Sequence, residues 1–331
     1  MGRTRLLVIV SLLCFFPLFS SNLPKARADG VGFIYIRADG SIDPSTAPIQ
    51  RNTDYYVLTQ DIYSKSIVVQ KDNIVIDGKG YSMHGPDDTD SAAMNLSSRQ
   101  GVTVENLRIS GFGYLVAAEG SQGNHIFHNN FLDQPNKISG GANSWDNGIE
   151  GNYWGDRQSQ DDFSGASQNI TGSDGIADAP IRLDEDNRDN YPLMGNYSVH
   201  NVTKQSEEYN VSAISNSNIT SLTYDLNQTI ILQISNNSEN LEFCRLEIPK
   251  ALLAPPYIIL IDDGQTPIVY YNDNLADNGT DRWIYFSYQH SNHLVKIIIP
   301  EFSAVITLLL LSTLSVLVIS LKLKLKRKKH F

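Results

Sequence analysis

Ile74-Val75-Ile76-Asp77-Gly78, Val102-Thr103-Val104-Glu105-Asn106, Ile126-Phe127-His128-Asn129-Asn130 and Gly148-Ile149-Glu150-Gly151-Asn152 are four short runs that lie over one another. Their last residues are 28, 24 and 22 apart, a drifting period of the size that one coil of a parallel β-helix requires. The polar, turn-rich insertion from Gly85 to Asp90 accounts for the longer first interval. Alternate apolar residues of each run point into a shared interior, which a single coil cannot bury. Stacking a second coil about 4.8 Å away buries that face and pairs the backbone groups. The closing residues Gly78, Asn106, Asn130 and Asn152 tolerate a left-handed turn, and an Asn side chain can bond to its counterpart one coil away. Phe33 to Arg37 and Tyr55 to Ile62 are expected to cover the first coil.

From Phe33 to Tyr153 no segment has helical periodicity, so the assignment is all-β. Beyond Val199 the runs lengthen and glycine becomes scarce. Thr229 to Ile234, Phe243 to Ile248, Tyr257 to Asp262, Ile268 to Tyr271, Trp283 to Tyr288 and Val295 to Ile299 read as the six strands of a small antiparallel β-sandwich. The division follows: a β-helix with an acidic closing segment over 29–195, a linker over 196–218, and a sandwich serving as a stalk over 219–300.

Both ends of the 331-residue chain read as addresses. Residues 1–28 carry Arg3 and Arg5, the apolar run Leu6 to Phe19, and Ala26-Arg27-Ala28, the pattern of a secretory signal peptide; an uncleaved signal anchor is the alternative. Phe302 to Leu321 is uncharged for twenty residues, and six bases follow between Lys322 and Lys329. A helix of that length spans roughly 30 Å. The pattern predicts a transmembrane helix over 302–321 and a basic cytoplasmic tail over 322–331, with the rest of the chain outside; a buried core helix is the plainer alternative.

The two ends hold ten of the 26 bases and no acid, which leaves 16 bases against 36 acids between them. Such a middle lacks the clustered Lys and Arg that phosphate neutralisation needs, so no nucleic acid partner is expected. Asn-x-Ser/Thr acceptor sites occur at Asn95, Asn169, Asn196, Asn201, Asn210, Asn218, Asn227, Asn236 and Asn278, the dense middle group suggesting a glycan-shielded stretch. Once the signal is removed Cys244 is the one cysteine, so stability must come from packing.

Gly151-Asn152-Tyr153-Trp154-Gly155-Asp156, Asp174-Gly175-Ile176-Ala177-Asp178-Ala179-Pro180 and Asp189-Asn190-Tyr191-Pro192-Leu193 together resemble the closing segment of NosD-type right-handed β-helix proteins. The opening Ile34 to Ile42 and Pro300-Glu301-Phe302 look like those of archaeal surface members of that group, whose tails are of the Pro-Glu-Phe sorting type. The resemblance covers about two thirds of the chain. It implies a right-handed coil and an exported protein whose fold is shared with carbohydrate-binding and sugar-hydrolase domains. A copper accessory role is also known in the group, but copper would favour clustered Met, Cys or His. The pairs His125/His128 and His290/His293 are three apart, pointing to opposite faces of a strand.

Eleven acids crowd the stretch from Asp146 to Asp189. Asp161, Asp162, Asp174 and Asp178 are the candidate ligands of a Ca²⁺ ion holding this loop, a solvated acidic face being the alternative. Trp145 beside Asp146, Glu150 and Asp156 is the candidate surface for stacking a sugar ring. Tyr153 and Trp154 are read as a plug over the last apolar layer. Asp77, Glu105, Asp146, Glu150 and Asp156 are acids available for sugar chemistry, but the Arg-x-Lys, Gly-His-Gly and Asn-Thr-Asp constellations of pectin-degrading enzymes are absent. The expected function is non-enzymatic recognition or structural coverage at the cell surface, toward glycans or envelope components. An exported polysaccharide lyase or hydrolase and a copper accessory protein are the rivals.

Overall fold

The computed structural model describes residues 32–300 apart from 134–136, 158, 236–240, 263, 265, 274–277 and 290. The expected signal peptide (1–28), membrane span (302–321), basic tail (322–331) and acceptor site Asn236 lie outside the described residues, which contain no helix long and apolar enough to cross a membrane. They are all-β. The first part of the chain feeds two mixed, mainly parallel sheets alternately. One holds Gly32–Ile36, Lys65–Val69, Ser82–Asn95, Arg108–Ala117, Asn130–Phe131 and Tyr153–Trp154; the other holds Tyr55–Leu58, Val75–Asp77, Thr103–Glu105, Gln122–Phe127 and Ala142–Ser144. Antiparallel Ile42–Asp43 and Ile49–Asn52 close the first edges. Gly32–Ile36 and Tyr55–Leu58 are therefore parallel rungs of the stack and not a separate cover.

One core runs between the sheets from Ile34 to Trp154. Ile67, Ile76, Val104 and Ile126 are buried to within 1 %, and each such side chain contributes about 1.5–3 kcal/mol relative to exposure. The register pairs Asp77 with Glu105 and Glu105 with Phe127, which puts His128, not Asn130, at the place of Asn106. Both adopt a left-handed conformation, at φ 60° for Asn106 and 58° for His128. The asparagine ladder runs through Asn129: its Oδ1 accepts the Leu107 amide at 3.1 Å and its Nδ2 donates to Asn152 Oδ1 at 3.1 Å. A second ladder passes from Val102 through Asn124 and Asn143 to Asn187.

The later residues form a five-stranded antiparallel sheet, in the order Asn196–Lys204, Glu207–Ser215, Glu242–Pro249, Asp281–Tyr288, Val269–Asp273, and a four-stranded one, Asn218–Tyr224, Thr229–Ser235, His293–Ile298, Ile258–Ile261. They share a core that includes Val211, Leu246 and Phe286 from the first and Ile230, Leu232 and Ile297 from the second. All six expected strands are present within a residue or two. The expected linker is not a linker. Residues 196–218 are a paired hairpin, from Asn196 opposite Ser215 to Lys204 opposite Glu207, and the start of the next strand. Val202, Val211 and Ala213 turn inward while Asn201 and Asn210 stay exposed, an alternation that the polar acceptor sites obscure in the sequence.

Nor does the second part stand away as a stalk. A third apolar cluster, Ile176, Leu193, Tyr197, Ile214, Phe243 and Tyr285, joins the two parts. Asn130 exchanges two hydrogen bonds with the Tyr197 backbone, accepting at 2.7 Å and donating at 2.8 Å. Beneath this seam Glu150 is 3 % exposed. It accepts from Arg245 Nε at 3.0 Å, Trp283 Nε1 at 3.1 Å and His128 Nε2 at 3.0 Å.

Candidate functional site

A cleft of about 410 Å³ opens along the seam, at the lower end of the roughly 300–1,000 Å³ usual for small-molecule sites. Its first wall comes from the parallel strands. Asp77 and Glu105 are register partners on neighbouring strands, so their carboxylates emerge on the same side about one strand spacing, ~4.8 Å, apart. The Tyr55 hydroxyl donates to Asp77 Oδ2 at 2.8 Å and stands 3.4 Å from Glu105 Oε1. Asp77 is nearly fully buried, and its Oδ1 accepts from the Lys79 amide at 2.8 Å and from Asn106 Nδ2 at 3.0 Å. The Lys79 ammonium lies 3.4 Å from Asp77 Oδ2.

The second wall is the face of the antiparallel hairpin. Val199, Ser212 and Glu247 stand in one row across three strands, and Asn201 and Asn210 stand opposite each other two residues along. Glu247 Oε2 accepts from the Ser212 hydroxyl at 2.6 Å. Tyr197 closes the inner end, its ring stacked on His128 at 3.9 Å. Asp281 completes the lining.

Burial is the main cause that raises the carboxyls of Glu105 and Glu247, and the neighbouring acids Asp77 for the first and Glu150 and Asp281 for the second push the same way. Glu150 differs. Burial alone would raise it, but the His128 hydrogen bond and the Arg245 charge outweigh burial and hold it at about 2. Burial, with the Asp77 acceptor, keeps the Tyr55 phenol protonated far above neutrality.

The residues expected to hold a ligand do other work. Trp145 is wholly buried, packs 6.0 Å from Trp154 and donates to Asn187 Oδ1 at 3.0 Å. It is part of the plug, with Trp154 and Phe131, because the open end of the stack must be covered. It offers no face to a sugar. Asp146 accepts from the Gly148 and Asn190 amides at 2.9 and 3.0 Å. Asp156 keeps its carboxylate 8 % exposed and 3.8 Å from Arg157. Glu150 is the ion-paired centre of the seam, so the four do not form one surface.

The expected calcium ligands do not converge either. Asp161 accepts from the amides of Asp174 and Gly175 at 3.0 and 2.8 Å, Asp178 from those of Asp162 and Phe163 at 3.0 Å each, and Asp174 from Gly165 at 3.1 Å and Ile176 at 3.0 Å. These carboxylates replace missing strand partners for loop amides. Among the described residues no three His, Cys, Asp or Glu side chains group as metal ligands.

A second cavity of about 370 Å³ lies beside Asp262 and His293. His293 Nδ1 is 2.8 Å from Asp262, and Nε2 faces the Ser291 hydroxyl at 3.0 Å and the Gln289 carbonyl at 2.7 Å. A carbonyl so close takes an Nε2–H, which leaves that nitrogen no lone pair for the Ser291 proton. The trio clasps a turn and is not an activated nucleophile.

Of the seam cleft the sequence marks Asp77 and Glu105, through their shared place in the aligned runs. Tyr55 reaches them through its own parallel strand and His128 lies in the third run, whereas Tyr197 and Glu247 carry no such signal, since their arrival depends on how the two parts pack. Comparison with family models, with curated proteins and with solved structures finds no match to this chain.

Proposed function

We propose that this chain is an exported surface protein, tethered by the apolar segment 302–321, that binds glycans or related envelope sugars in the seam cleft without turning them over. In this reading the alternating parallel strands are the coils of a short right-handed β-helix of the NosD type. The antiparallel part is a sandwich that supplies the second wall. The observation that carries the reading is the cleft: a polar hollow with carboxylate, amide and hydroxyl groups on both walls, the groups that pair with sugar hydroxyls.

Paired Asp77 and Glu105 also suit sugar hydrolysis, where two carboxyl groups flank the scissile bond. Binding is favoured over that alternative because both Asp77 oxygens already accept hydrogen bonds from Tyr55, Asn106 and the Lys79 amide, so only Glu105 of the pair is free to act where the mechanism calls for two carboxyl groups. The test is oligosaccharide binding by the full chain in detergent micelles, with reducing ends assayed in parallel. Retention of sugar that is lost in Tyr55→Phe/Glu105→Gln, with no new reducing ends, is expected. Release of reducing ends that depends on Asp77 would replace this reading by the hydrolase.

A further inference from the structure

The acids of the seam fall into two groups. Glu150 is ion-paired with Arg245 and His128, and Asp77 with Lys79. Glu105 and Glu247, on opposite walls, meet only hydroxyls: Tyr55 at 3.4 Å for the first and Ser212 at 2.6 Å for the second. Asp281 meets the Asn278 amide and the Thr280 hydroxyl. Among the described residues none of the three is in an ion pair with Lys, Arg or His. A half-buried carboxylate without a counter-charge is costly unless something supplies one. Between them Asn106, whose Nδ2 is engaged by Asp77, has a buried Oδ1 with no donor. Two unpaired carboxylates and an orphan acceptor on facing walls therefore ask for donors with positive charge. Lys79 cannot serve all of them, since it is already held at Asp77.

Resting on the sugar-binding reading, we infer that the cleft takes a ligand bearing an ammonium group, an amino sugar with its amine free, whose N–H donors bridge Glu105 and Glu247. Charge-assisted bonds of this kind are roughly twice as strong as neutral ones. Acetylation of the amine removes both the charge and two donors and leaves a bulkier amide facing two carboxylates. The cleft then discriminates the free amine from its acetylated form, while the hydroxyls common to both pair with Ser212 and Tyr55.

The test measures binding to the full chain in detergent micelles at near-physiological salt, with three probes: a β-1,4 glucosamine trimer, its fully N-acetylated counterpart and 1,5-diaminopentane. At least tenfold tighter binding of the free-amine trimer over the acetylated one is expected, falling below twofold in Glu105→Gln/Glu247→Gln. That variant keeps the remaining surface acids, so it separates site binding from general attraction of cations to an acidic protein, and an unchanged circular dichroism spectrum shows that it is folded. Equal or tighter binding of the acetylated trimer overturns the ammonium inference and leaves the sugar reading standing. Binding of the diamine with neither trimer overturns the sugar reading, and binding of no probe overturns both. A tenfold preference that persists in the double variant overturns the assignment to Glu105 and Glu247.

Discussion

Replacing Arg245 by Met tests whether the two parts of the molecule fold as one. Arg245 is buried, donates from Nε to Glu150 at 3.0 Å and from Nη1 to the Asp174 carbonyl at 3.1 Å. Met fills much of the same volume but leaves Glu150 in the seam with Trp283 and His128 as partners. Removing one member of a buried ion pair costs about 3–5 kcal/mol, and the retained His128 contact places the expected value near the lower end. For chains of this size each kcal/mol lowers Tm by roughly 2–4 °C, so a fall of at least about 6 °C is expected. Calorimetry of the full chain in detergent micelles should show one cooperative transition in the parent, displaced as a unit in the variant. Glu150→Gln/Arg245→Met removes the stranded charge and should recover part of the loss. A shift in Arg245→Met below about 1 kcal/mol, or a parent that melts in two separate steps with only the later unaffected, would refute the reasoning.

Stability should peak on the acid side of neutrality. Burial pushes Asp161 and Asp189 up to about 7, so their contribution is full below about 3.8 and is lost as pH rises through 7; Glu150, held at about 2, contributes fully above about 4.5 and is lost as pH falls toward 2. Urea midpoints across pH 3–8 should therefore be highest near pH 4, where the two windows meet, and a midpoint that climbs steadily to pH 8 contradicts the assignment. Trp145→Ala should cost about 3–5 kcal/mol in urea unfolding, whereas an exposed platform would lose less than about 1 kcal/mol. Gly151→Ala puts a Cβ 1.9 Å from Asp189 Oδ1 and should cost at least about 2 kcal/mol; a neutral result would mean that the Asp189 contacts are not formed.

Much of the fold is legible because its signals are local. Val75–Asp77 and Thr103–Glu105 alternate and end in turn-formers, and the six later strands are long apolar runs, so short-range pattern suffices for both. The register of the third run is not local. Asn129 and Asn130 are adjacent and chemically identical, yet Asn129 joins the ladder while Asn130 bonds the Tyr197 backbone. Only the packing of the second part decides between them. The hairpin over 196–215 is hidden for another reason: its outward positions carry acceptor-site polar residues at loop-like density. The cleft inherits this blindness, since Glu247 reaches it only through that hairpin. Glu150 and Arg245 are 95 residues apart in sequence, and Glu150 and Trp283 are 133 apart; no periodicity reports on such pairs.

The acidic closing segment shows how a ligand-like composition arises from contacts within the fold. What repeats along the first ladder is a side-chain oxygen accepting the backbone amide of the preceding ladder position, Asn129 from Leu107 and Asn152 from Asn129. At the end of the ladder only the acceptor is still needed, and a carboxyl oxygen supplies it as well as an amide oxygen does. Asp189 does this: Oδ2 takes the Asn152 amide at 2.8 Å and the Trp154 indole at 2.9 Å, and Oδ1 takes the Tyr191 amide at 3.1 Å. Asn187 ends the other ladder by turning its donors back to Asp184 and the Gly141 carbonyl. The same terminus needs large apolar covers, which Trp145 and Trp154 supply with their indole N–H groups turned to these acceptors. Tryptophans beside carboxylates are thus what ending a stack demands, and the residues free to meet a ligand lie where the two parts meet.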